Sequence, residues 1–141
     1  MNEHVTDEGA CKFKPSRSGP SFLSEGEIRA YTQQFASALH YMHSKKIMHL
    51  DLKPQNVLLS STNQVKLADF GSSQQFFAEE DALIKHRGTM EFYAPECWKQ
   101  TKTSATQFYS GRQADVFAAG ITIYLMCFNE FPYATGKGVD I

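Results

Sequence analysis

Nothing in this sequence marks it for export, for a membrane or for a strongly charged partner. Its cysteines, Cys11, Cys97 and Cys127, are an odd, widely spaced set with no C-x-x-C pair. That fits neither a disulfide framework nor a zinc site, and it points to a reducing compartment, cytoplasmic with the nucleus as the alternative. A secretory leader needs a positive start and an apolar core, and the first residues carry Glu3, Asp7 and Glu8 instead. The longest apolar stretch, 116–128, is interrupted by Gly120 and Thr122 and is short of the ~20 residues that span a bilayer. With 14 Lys plus Arg against 15 Asp plus Glu, the net charge of -1 gives no overall field for nucleic acid or anionic lipid. No nucleic-acid partner is expected. At 42% apolar residues the composition excludes disorder and collagen, and 141 residues bound the chain at one domain.

What is present begins late. Residues 1–21 mix Gly, Pro, Ser, Lys and acids without period, and Pro15 and Pro20 forbid a continuous helix, so a loose lead-in is expected there. Ser24 with Glu27 then forms a capping box. Behind it Ile28, Tyr31, Phe35, Ala38, Leu39 and Met42 recur at three- and four-residue steps, which predicts a helix to about Ser44 with one apolar face. After a loop at 49–55, the segments 57–59 and 64–68 flank Ser60, Ser61, Thr62 and Asn63 and read as a β-hairpin. From 69 to 93 no period is sustained, and an irregular stretch of that length is usually functional or disordered. A second helix is expected near Ala94 and Pro95, and a loop at 101–106. The last helix, 112–127, is apolar on nearly all sides, which predicts complete burial inside a protein larger than its visible neighbours could cover, with Pro132 as its stop. The expected fold is mainly α with a small β-hairpin.

Three short motifs carry chemistry. His49-Leu50-Asp51-Leu52-Lys53-Pro54-Gln55-Asn56 lies between helix and hairpin, Asp69-Phe70-Gly71 follows the hairpin, and Ala94-Pro95-Glu96 closes the irregular stretch. Taken singly, Asp51 and Asp69 are ordinary loop acids, Asn56 a turn amide and Lys53 a solvated charge. In this order they match ten positions of the protein-kinase signature. At about 5% per specified residue, the joint chance is on the order of 10^-13.

The chain therefore resembles a protein kinase of the Ser/Thr type, over about 21–133, with 134–141 as a truncated tail. The resemblance implies a partial kinase fold, the carboxy-terminal lobe only. It implies ATP and Mg2+ as cofactors and a protein substrate with a Ser or Thr acceptor. By resemblance Asp51 orients the acceptor hydroxyl and takes its proton, while Asn56 and Asp69 hold magnesium, for which oxygen ligands suit. Lys53 steadies the transferred phosphate, and Thr89 contacts Lys53 and Asp51. Leu58 lies beneath the adenine ring. His49 and Phe70 stack as packing residues, and Gly71 supplies a left-handed turn. Asp115, in the first turn of the last helix, takes the backbone of His49 and Leu50, and Glu96 awaits an arginine that no residue after Tyr133 supplies.

Within the family, Ala68-Asp69-Phe70-Gly71-Ser72-Ser73-Gln74-Gln75-Phe76, Glu80-Asp81-Ala82-Leu83 and Tyr109-Ser110-Gly111-Arg112-Gln113-Ala114-Asp115-Val116 are similar to the calcium/calmodulin-dependent protein kinase kinases. Their substrates would include other kinases. Two departures stand out. Leu50 occupies the place where most kinases have arginine, and 74–88 contains no Ser, Thr or Tyr, so activation without phosphorylation of that segment is expected, with Glu79, Glu80 or Asp81 pairing to Lys85 or Arg87 as the ordering device. No glycine-rich loop or strand lysine occurs before Ser21. An amino-terminal lobe is therefore expected outside these residues, and a pseudokinase-like interaction module is the alternative to an enzyme.

Overall fold

In a computed structural model of the chain, the described residues are 23–77, 81–83, 87–97 and 108–133. The lead-in, the loop at 101–106 and the tail at 134–141 lie outside them. Helix α1 spans Glu25–Ser44 and starts at the capping box: Ser24 accepts the Glu27 amide, and the Glu27 carboxylate accepts the Ser24 amide. Its apolar face buries Tyr31, Phe35, Leu39 and Met42, the three- and four-residue steps of the sequence. Lys46, at φ 61°, turns the chain out of the helix.

Strand β1, Ile47–Met48, leads into the catalytic-type motif, and β2, Val57–Leu59, and β3, Val65–Leu67, form the hairpin. Its register pairs Val57 with Leu67 and Leu59 with Val65. Helix α1 clamps the hairpin: the Val65 amide donates to Gln34 Oε1 at 2.9 Å. Two further antiparallel pairs were not legible beforehand. Strand β4, Gln74–Gln75, pairs with β1, and β5, Ala82–Leu83, pairs with β6, Tyr109–Ser110. Residues 95–97 are helical, at the place expected for a second helix, and its continuation lies outside the described residues.

Helix α2 spans Gly111–Phe128, with Ser110 as N-cap accepting the Gln113 amide. It ends at Asn129, whose left-handed φ of 55° and amide bond to the Leu125 carbonyl close the last turn. The stop is thus Asn129, not Pro132. Its neighbours among the described residues do not cover it all round, as that reading expects: Val116 and Phe128 are each 59% exposed. Helix α1, β1 and the turn Met90–Phe92 meet α2 on its other side, where Ala118, Ile121, Thr122 and Leu125 are buried. Two apolar clusters result. One joins Phe35, Leu39, Leu52, Val57, Ile121 and Leu125; the other joins Met48, Leu50, Phe76, Leu83, Ala94 and Cys97. At ~1.5–3 kcal/mol for each fully buried large side chain, these clusters fix α2 beneath the loops that carry the motifs.

Candidate active site

The loop after β1 is held from below by α2. Leu50 has φ 65°, a conformation a bulky residue adopts only when its surroundings impose it. That turn aims two successive amides at one carboxylate: His49 N–H donates to Asp115 Oδ2 at 2.8 Å and Leu50 N–H to Asp115 Oδ1 at 2.7 Å. Asp115 is the fifth residue of α2, just past the first turn in which the sequence placed it, and is 1% exposed. Burying such a charge requires partners, and His43 Nε2, 2.9 Å from Oδ2, is the third. Sequence reasoning missed His43, which carries no motif. The His49 ring bonds the Ala68 carbonyl through Nε2 at 3.1 Å and takes the Asp51 amide on Nδ1 at 3.4 Å, contacts that the Nε2–H tautomer satisfies together.

Asp51, so positioned, sits in a triangle of polar side chains. Lys53 Nζ donates to Asp51 Oδ2 at 2.9 Å and to Thr89 Oγ1 at 2.8 Å, and Thr89 Oγ1 donates to Asp51 Oδ1 at 2.7 Å. Thr89 comes from 38 residues away. It is delivered by Gly88, at φ 89°, where a β-carbon would lie 2.2 Å from the Leu50 carbonyl oxygen. Glycine is required there on both counts.

Asn56 closes the loop. Its Nδ2 donates to the Asp51 carbonyl at 2.8 Å, which turns Oδ1 away from the loop. The hairpin brings Asp69 to the same end, because the Ala68 amide donates to the Asn56 carbonyl at 2.9 Å, one step beyond the Val57 and Leu67 pair. Asp69 has φ 60°, and its Oδ1 accepts the Gly71 amide at 3.3 Å. The left-handed residue is therefore Asp69, not Gly71. Gly71 is constrained by space, since a β-carbon there would stand 3.2 Å from Asp69 Oδ1. Phe70 stacks on His49 at 5.3 Å between ring centroids, yet is 52% exposed, so its packing is one-sided. Leu58 is half-buried between the buried Val57 and Leu59, on the opposite face of β2. Among the described residues no group of three His, Cys, Asp or Glu is arranged to hold a metal. A carboxylate and an amide oxygen that leave further positions to phosphate and water suit Mg2+, and Asp69 and Asn56 are the residues that could supply them.

Beyond Thr89, Tyr93 Oη donates to the Gly88 carbonyl at 3.3 Å, and burial raises its phenol pKa. Burial, reinforced by the Glu96 charge, pushes the Cys97 thiol up to about 11. Burial likewise takes Tyr109 to about 12. Glu96 makes no ion pair among the described residues. Asp81 does not pair with Arg87; Lys85 lies outside the described residues. It meets Arg112 and Ser110 instead. Burial pushes the Asp81 carboxyl up, but the Ser110 hydroxyl and the Arg112 amide and guanidinium outweigh it and hold the pKa below the ordinary value.

A fold of two long helices with this loop, hairpin and returning threonine defines a class. A family model of the protein kinase domain matches residues 5–140, and the chain belongs to that family. It is 39% identical over 114 residues to the serine/threonine-protein kinase GRIK1 of Arabidopsis thaliana, covering 81% of this chain and 27% of that protein. It is 40% identical over 111 residues to the calcium/calmodulin-dependent protein kinase kinase of Caenorhabditis elegans, covering 79% and 20%. The serine/threonine-protein kinase TOS3 of Saccharomyces cerevisiae is 33% identical over 139 residues, covering 92% and 24%. The chain thus spans about a quarter of the length of the curated relatives it matches. Among the described residues no helix is long and apolar enough to cross a membrane.

Proposed function

We propose that this chain carries the acceptor-side half of a serine/threonine protein kinase active site, transferring the γ-phosphate of ATP to a protein hydroxyl. The carrying observation is the Asp51, Lys53 and Thr89 triangle. Asp51 is the base, oriented by His49 and by the Asn56 amide. Lys53 places positive charge beside the hydroxyl that Asp51 would receive, where charge develops during transfer. Asn56 and Asp69 are the residues that would hold Mg2+, and Leu58 would support the adenine. When bound, Mg2+ supplies neutralisation of the phosphate oxygens. Glycine-rich loop and strand lysine are absent from these 141 residues, so expressed by itself the chain should transfer no phosphate. Similarity to a kinase kinase supports a substrate that is itself a protein kinase. The cytoplasm is the proposed location, with the nucleus as the alternative.

The test is transfer from γ-labelled ATP by the full-length protein that contains this segment. Asp51→Asn should abolish labelling of Ser and Thr while ATP binding persists. Undiminished labelling by that variant would refute the assignment. A second reading, a lobe that binds kinase partners without turnover, draws on Leu50, whose burial in an apolar cluster replaces the usual arginine. A full-length protein that binds ATP but labels nothing would favour it.

A further inference from the structure

Asp81 lies outside the catalytic triangle, in a three-residue described segment, yet it makes four contacts with the start of α2. Its Oδ2 accepts from Ser110 Oγ, from the Arg112 amide at 3.0 Å and from Arg112 Nε at 3.0 Å, and its carbonyl accepts the Gly111 amide at 2.9 Å. An acid at a helix N-terminus is favoured by the helix dipole, and the Arg112 pair adds charge-assisted bonds. Arg112 in turn rests on the Phe76 ring, 5.0 Å from its centroid, at the other end of the same irregular stretch.

From Asp81 the chain continues as β5 against β6, and Leu83 packs so closely on Gly111 that a β-carbon there would lie 2.9 Å from Leu83 Cδ1 and 2.3 Å from Met48 Sδ. It returns at Gly88 against the Leu50 carbonyl and delivers Thr89 to Asp51. The Gly88–Thr89 end thus lands on Leu50 and Asp51, and Leu83 at the other end shares an apolar cluster with Met48 and Leu50. Helix α2 meets the loop through Asp115 and the stretch through Asp81.

We propose that Asp81 is a positioning residue for the acceptor side of the site: its grip on Ser110 and Arg112 sets Gly88 and Thr89 against Asp51 and so governs engagement of the protein substrate, not of ATP. The proposal rests on the kinase reading above. It is tested on the full-length protein with Asp81→Asn, which keeps the shape and removes the charge, and with Asp81→Glu, which restores it. Amide exchange at Gly111, Arg112 and Phe92 should quicken about ten-fold in Asp81→Asn, the scale of losing a bond to a charged group. KM for the protein substrate should rise by a similar factor with KM for ATP unchanged, and Asp81→Glu should recover part of both. Unchanged exchange would overturn the proposal, as would faster exchange with unaltered substrate KM, or a parallel rise of both KM values, which marks general loosening. If the wild type transfers no phosphate, the kinase reading fails, and the exchange measurement alone decides whether Asp81 holds the stretch.

Discussion

Asp115 takes the amides of two consecutive residues, His49 and Leu50, that stand 66 and 65 positions earlier in the chain, and so ties α2 directly to the loop bearing Asp51. The catalytic-type loop is thereby a fixture of the core rather than a surface excursion.

Removing that carboxylate leaves two buried amides and His43 without their partner. Asp115→Ala should destabilise the protein by about 3–5 kcal/mol, the scale of breaking a buried charged network. Asp115→Asn, which retains one acceptor oxygen, should cost less, about 1–3 kcal/mol. Urea unfolding of the three proteins checks both the sizes and their order.

Thr89 joins Lys53 to Asp51 through a single hydroxyl. In the full-length protein, Thr89→Val should lower kcat about ten-fold or more, since a hydrogen bond to a charged group contributes ~1.5–3 kcal/mol. Thr89→Ser should stay close to wild type. Loss in Thr89→Ser with Thr89→Val spared would place the effect in the methyl group's packing instead.

Cys97 gives a pH dependence of known sign. Its folded thiol pKa is raised from 9.0 to about 11, so the unfolded chain releases this proton first. The stabilisation is complete below pH 9 and is lost as pH rises through about 11, by ~1.4 kcal/mol per pH unit and roughly 2–3 kcal/mol in total. Cys97→Ala should flatten that slope in denaturation measured between pH 8 and 11. Iodoacetamide at pH 8 should alkylate Cys97 only after unfolding.

Leu50 is buried among Met48, Phe76 and Leu83, and 74–88 contains no hydroxyl to phosphorylate. Phosphatase treatment of the full-length protein should therefore leave its activity intact. Loss of activity together with a phosphosite mapped between Ser72 and Thr89 would contradict this expectation.

Much of this arrangement was legible locally. Ser24 and Glu27 announce α1 three residues apart, the apolar steps behind them give its buried face, and the motif order around Asp51, Asn56 and Asp69 points to the candidate site. What escaped depends on distant partners. The strands β4 and β5 are two residues long, too short to carry a period, and each exists because a strand some 27 residues away accepts it. Asp81 in sequence is one acid among three, and only the fold puts Ser110 and Arg112 on it. The exposed side of α2 was hidden for the opposite reason: Val116 and Phe128 are as apolar as the buried residues beside them, and hydropathy does not say which side meets a neighbour.

The divided use of Asn56 bears on which amino acids the position accepts. Its nitrogen faces the Asp51 carbonyl, with the Asp51 carboxylate only 3.4 Å beyond, while its oxygen points the other way. Aspartate, the better cation ligand in isolation, would set a second negative charge against Asp51 and leave that carbonyl without its donor. Glutamine would carry the same two ends on a stem one methylene too long for the turn at Pro54–Asn56. The position thus asks for polarity of both signs at a fixed reach, and asparagine alone among the encoded side chains meets the demand.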